Sequence, residues 1–135
     1  MKNLIFLIAI ILLISSCSKD EMNTEPDTIQ TIVPTIKNGD TGSAVVNLQN
    51  ALLKLLDLGI FKTYNAPDSP TIEYLQQLTL QFKVESTNQI YGEATRKLIQ
   101  IFQIQNGLGA SLNGVVEATT AAKLNALLLT LGVIG

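Results

Sequence analysis

The chain of 135 residues has no histidine, no tryptophan and a single cysteine. Without histidine it lacks the usual general base near neutral pH and the commonest metal ligand, which excludes His-dependent zinc peptidase chemistry. One thiol has no partner for an internal disulfide, and a cysteine nucleophile here would lack the imidazole that activates it. Charge is sparse and balanced: from Ile36 onward seven basic residues are matched by seven acidic ones. A neutral module carries no electrostatic footprint for nucleic acid. The long apolar run, Leu4 to Ile14, is eleven residues, too short to cross the ~30 Å hydrocarbon core of a bilayer.

What is present begins with that run. Met1-Lys2-Asn3, the uncharged stretch and the small residues Ser15 and Ser16 have the layout of a secretory signal. The phrase Ile14-Ser15-Ser16-Cys17 resembles the lipobox of bacterial lipoproteins. That resemblance implies a diacylglyceryl group on Cys17, cleavage before it, and residues 1–16 as a signal peptide. One acyl chain, at about 0.8 kcal/mol per buried methylene, holds a protein only marginally, whereas two or three hold it durably. Removing residues 1–16 of 135 leaves 119, enough for one domain and a tether. Residues 17–35 are read as the lipidated cysteine and that tether: the stretch from Ser18 to Pro34 is polar, holds two prolines and lacks periodicity until its last few residues. Ser18-Lys19-Asp20-Glu21 resembles the surface-export signal of lipoproteins in the Bacteroidota, and equally fits a generic solvated tether.

Residues 36–135 read as an all-α domain. Ser43 caps a first helix from Ala44, with Val45, Leu48, Leu52 and Leu55 or Leu56 as its apolar stripe and Gly59 at its end. A second runs from about Glu93 to Asn106 before Gly107, and a third from about Ala118 to Leu131 before Gly132. Between Gly59 and Asn88, Ile72, Leu75, Leu78 and Phe82 recur at helical spacing, while Leu78, Leu80, Phe82 and Val84 alternate as a strand does. A short extra helix from about Pro70 is the expectation.

Two turns ahead of helices repeat one phrase, Asn88-Gln89-Ile90-Tyr91-Gly92-Glu93-Ala94-Thr95 and Asn113-Gly114-Val115-Val116-Glu117-Ala118-Thr119-Thr120. Each has an amide first, apolar residues third and fourth, and threonine eighth. With the opening Gly39-Asp40-Thr41-Gly42-Ser43-Ala44-Val45-Val46-Asn47-Leu48-Gln49, then Phe102-Gln103, Gly107-Leu108 and Leu124, the chain resembles the peptidoglycan-binding domain family over about Ile36 to Leu131. The resemblance implies a small three-helix bundle with an inserted segment between its first and second helices. It also implies a non-catalytic cell-envelope lipoprotein that binds peptidoglycan and links membrane to wall. The chain departs from the family pattern in having asparagine for both motif aspartates, Gln89 and Glu117 for motif glycines, and a long 60–87 segment.

A wall binder needs a shallow groove with hydrogen-bonding side chains and free amides at helix starts to receive carboxylates. The candidate contacts are Asn88, Tyr91, Gly92, Thr95, Gln103, Asn113 and Thr120; each also has an ordinary role in a turn, a first helical turn or the interior. Glu85 and Glu93 flank a turn as a pair of carboxylates could for glycoside cleavage, yet Glu93 also suits a helix N-terminus. No catalytic residue, cofactor or metal site is expected. Expected partners are peptidoglycan, the membrane through Cys17, and a cell-wall hydrolase or envelope protein. The expected location is the outer membrane facing the periplasm, or the cell surface if the export tetrad acts. The alternative is a structural or protein-interaction module of the same fold without wall affinity, which gains if the 60–87 segment packs across the groove.

Overall fold

A computed structural model describes residues 35–64, 67, 69–109 and 112–134. The expectations for Cys17, the signal and the tether lie outside them. Four helices follow in order: α1 (Ser43–Asp57), α2 (Ile72–Asn88), α3 (Glu93–Gln105) and α4 (Ala118–Thr130). The small all-α bundle is as expected from the periodicity, and the extra helix expected from about Pro70 is α2, a full 17 residues rather than a short one. Among the described residues there are no strands, only two isolated antiparallel bridges, Ile36 with Val116 and Thr41 with Ile90. No described helix is long and apolar enough to cross a membrane.

The apolar stripes face inward. Val45, Leu48, Leu52 and Leu55 of α1, Leu98 and Phe102 of α3, and Leu124 and Leu128 of α4 are buried in one core with Phe82. Every buried hydrophobic residue described lies between Ile36 and Leu128, so a chain of residues 18–135 carries the whole described core. α1 begins at Ser43 itself after Gly42, which has φ 100°, and Ser43 makes no cap. α2, at 17 residues, is the longest of the four described helices. Its N-cap is Thr71, whose hydroxyl accepts from the Tyr74 amide at 3.1 Å, the side-chain capping that stabilises a helix start by about 1 kcal/mol. The strand-like alternation is overruled by a period of four: Leu78 and Phe82 are buried while Leu80 and Val84 stand 67% and 61% exposed. α2 packs on α3 and on α1.

Candidate functional site

The repeated phrase has a physical basis in two glutamines. Gln49 of α1 donates from Nε2 to the Ile90 carbonyl at 2.8 Å and to the Thr95 hydroxyl at 3.3 Å. Gln103 of α3 donates from Nε2 to the Val115 carbonyl at 2.8 Å and to the Thr120 hydroxyl at 3.1 Å. Ile90 and Val115 hold the third place of the two phrases, Thr95 and Thr120 the eighth. Each glutamine therefore clamps one turn to the first turn of the helix that follows it. All four polar side chains are fully buried, and buried polar groups require such partners. The fourth places, Tyr91 and Val116, are buried as well.

The two turns are tied together by Tyr91, whose hydroxyl donates to the Gly114 carbonyl. Burial pushes this phenol well above the usual tyrosine range, so it stays a donor. Gly114 sits at φ 72°, and an added Cβ would lie 2.5 Å from the Arg96 carbonyl oxygen. Only glycine fits that approach. At the matching second place of the first phrase Gln89 adopts the same left-handed region, φ 56°, and closes α2 by donating its amide to the Glu85 and Ser86 carbonyls. That exchange breaks the symmetry of the repeat. In the second unit the Gly114 amide donates to Gln103 Oε1 at 3.0 Å. In the first, the equivalent amide is spent on α2, and Gln49 Oε1 is buried without a partner among the described residues.

The N-terminus of α3 is occupied from within the chain. Glu85, on the last turns of α2, accepts from the Ala94 amide, the Thr95 amide and the Thr95 hydroxyl, each at 2.7 Å. A carboxylate there satisfies free amides and meets the positive end of the helix dipole. Gly92 lies beneath it; a Cβ at that position would collide with the Glu85 carboxyl group. Glu93 instead pairs with Arg96, at 2.5 Å. The hydrogen bond from Arg96 holds the Glu93 carboxyl below the usual carboxylate range. Both acids considered for glycoside cleavage thus have other engagements.

The expected contacts divide by exposure. Tyr91, Thr95, Gln103 and Thr120 have no exposed surface; the polar groups expected to meet a ligand are engaged in hydrogen bonds within the fold, because each ties a turn to a neighbouring element. Asn88 and Asn113 are exposed and Gly92 is half-buried. Asn113 shapes its own turn, accepting from the Val115 amide at 2.9 Å. Beside it, the Arg96 guanidinium reaches the Asn113 carbonyl at 3.4 Å, making a polar ledge of Glu93, Arg96 and Asn113. A groove of about 810 Å³ lies elsewhere, lined by Leu56, Phe61, Ile72, Leu75 and Leu80 among others. No cluster of three metal-ligating side chains occurs among the described residues.

The sequence reading names Gln49 and Glu85 but misses their roles as turn clamp and helix cap. The pairing Leu48-Gln49 with Phe102-Gln103 was a visible signal for the first, since both glutamines follow a buried apolar residue. No signal marks Glu85, whose partners lie nine and ten residues on. No protein-family model matches the chain, nor does any curated protein or any solved structure.

Proposed function

We propose that this chain is a non-catalytic envelope lipoprotein, anchored through Cys17, whose helical module binds peptidoglycan. The observation that supports the reading most directly is the ledge at the joined turns. Arg96 is a cation with its side chain 25% exposed, paired with the exposed carboxylate of Glu93 at 59% and reaching the Asn113 carbonyl with one further N–H. Such pairs are worth about 0–1 kcal/mol, little enough for a peptide carboxylate of the wall to replace Glu93. Asn113 and Asn88 add exposed amides for hydrogen bonding to peptide or sugar.

A second reading, a structural or protein-interaction module, is favoured by one specific observation. The α3 amides that would receive a ligand carboxylate already hold Glu85, and α2 covers that end of the bundle. The test is co-sedimentation of residues 18–135 with insoluble peptidoglycan, beside an Asn88→Ala, Arg96→Ala variant. Both substitutions lie outside the buried network, so the fold should be kept. Pelleting of the parent and release of the folded variant supports wall binding through the ledge. A folded parent that stays in the supernatant with several wall types overturns that reading and leaves the interaction module.

A further inference from the structure

The outer face of α2 is built against its inner one. Leu78 and Phe82 fill the core, yet Ile72, Leu80 and Val84 stand 62%, 67% and 61% exposed. With Gln76 they occupy places 72, 76, 80 and 84, one ridge of every-fourth residues on the side away from the core. Single exposed apolar residues are ordinary; three of four along one ridge, next to a groove of about 810 Å³ whose wall includes Ile72, Gln76 and Leu80, make a patch of the kind that binds protein.

We propose that this face pairs with a second copy of the chain, α2 against α2, antiparallel, with the two-fold axis level with Leu78. The register follows from side-chain chemistry. In it Ile72 stands opposite Val84 of the partner copy, and Gln76 opposite Leu80, so each copy sends Leu80 and Val84 toward the other's groove. Glu73 comes level with Lys83 at both ends, and among the described residues neither side chain has an ion-pair partner within its own chain. A parallel arrangement would instead set Glu73 beside Glu73 and Lys83 beside Lys83, which repels. The contact is isologous, so it closes at two copies and does not propagate. One helix face buries less than the ~800 Å² per partner of a standard interface, so the dimer is weak in dilute solution. Confinement on one membrane surface, where the Cys17 reading places the chain, raises its effective concentration.

The experiment is sedimentation velocity of residues 18–135 over a wide concentration range, beside Leu80→Asp, Glu73→Lys, Lys83→Glu and the double charge exchange. All the substituted side chains are exposed, and thermal melts check that the fold is kept. The expected result is a concentration-dependent dimer that Leu80→Asp abolishes. Each single reversal should raise the dissociation constant about ten-fold, and the double exchange should restore it. A chain that stays monomeric throughout overturns the proposal, as does a dimer indifferent to Leu80→Asp. Single reversals without effect, or a double exchange that fails to rescue, overturn the antiparallel register.

Discussion

Replacing Glu85 by alanine removes the cap that joins α2 to α3. The carboxylate accepts three hydrogen bonds at 2.7 Å, and bonds to a charged group contribute roughly 1.5–3 kcal/mol each when counted singly. They share one acceptor and do not add fully. Glu85 is half-buried, so water can enter and partly satisfy the amides left behind. The expected loss is about 3 kcal/mol, a large part of the total for a domain of this size. In melting temperature that is a fall of about 15 °C. Urea unfolding followed by circular dichroism measures it, with Glu85→Gln expected to lose about 2 kcal/mol because one acceptor oxygen is kept. A loss below about 1 kcal/mol for Glu85→Ala would show that solvent caps α3 equally well, and the reasoning from satisfied amides would be refuted.

Gly92→Ala should destabilise by about 2 kcal/mol, because its Cβ enters the space of the Glu85 carboxyl group. In a Glu85→Ala background the same substitution should cost little, a coupling that a double-mutant cycle measures. Gln89→Gly should stabilise by about 0.5–1 kcal/mol, since φ 56° suits glycine better than a residue with a side chain; a rise in the urea midpoint checks it. Gln103→Leu should cost about 1 kcal/mol more than Gln49→Leu, because Gln103 also accepts from the Gly114 amide while the Gln49 oxygen has no partner to lose. The raised Tyr91 hydroxyl keeps its proton in the folded state after the unfolded chain begins to lose its own near roughly pH 10. Its contribution is therefore full below that pH and falls above it, by about 1.4 kcal/mol per pH unit. Denaturation at neutral and strongly alkaline pH should show Tyr91→Phe losing less stability over that interval than the parent.

Helix positions were legible in the sequence where one face alone is apolar. The α1 stripe of Val45, Leu48, Leu52 and Leu55 is buried as read, and α3 and α4 begin at Glu93 and Ala118, as the turn phrases indicated. α2 was harder because Ile72, Leu80 and Val84 add apolar residues on its outer side, which erases the contrast between faces and imitates a strand. The turns are legible as a repeat, but the sequence leaves open whether their polar residues meet a ligand or close the turn. Asparagine, threonine and glutamine close a buried turn and contact a ligand by the same hydrogen bonds, so residue type cannot separate the two uses. Burial can, and it places Thr95, Gln103 and Thr120 inside. Glu85 was illegible for another reason: its partners are set by the angle between α2 and α3, which local pattern does not encode.

The two glutamine clamps differ in how much chain each must close. Gln103 reaches Val115 across 12 residues, whereas Gln49 reaches Ile90 across 41. Loop closure costs about 0.6 kcal/mol more for each doubling of length, so the Gln49 clamp carries roughly 1 kcal/mol of added chain entropy. The segment from α2 to α4, whose Glu85 bonds to α3 close over only nine and ten residues, should consequently organise early in folding, with α1 joining late. Under that order Gln103→Leu slows refolding, while Gln49→Leu leaves refolding nearly unchanged and speeds unfolding. The same duplicated turn then has two separate kinetic roles: the downstream copy sets how fast the chain finds its fold, and the upstream copy sets how long it stays there.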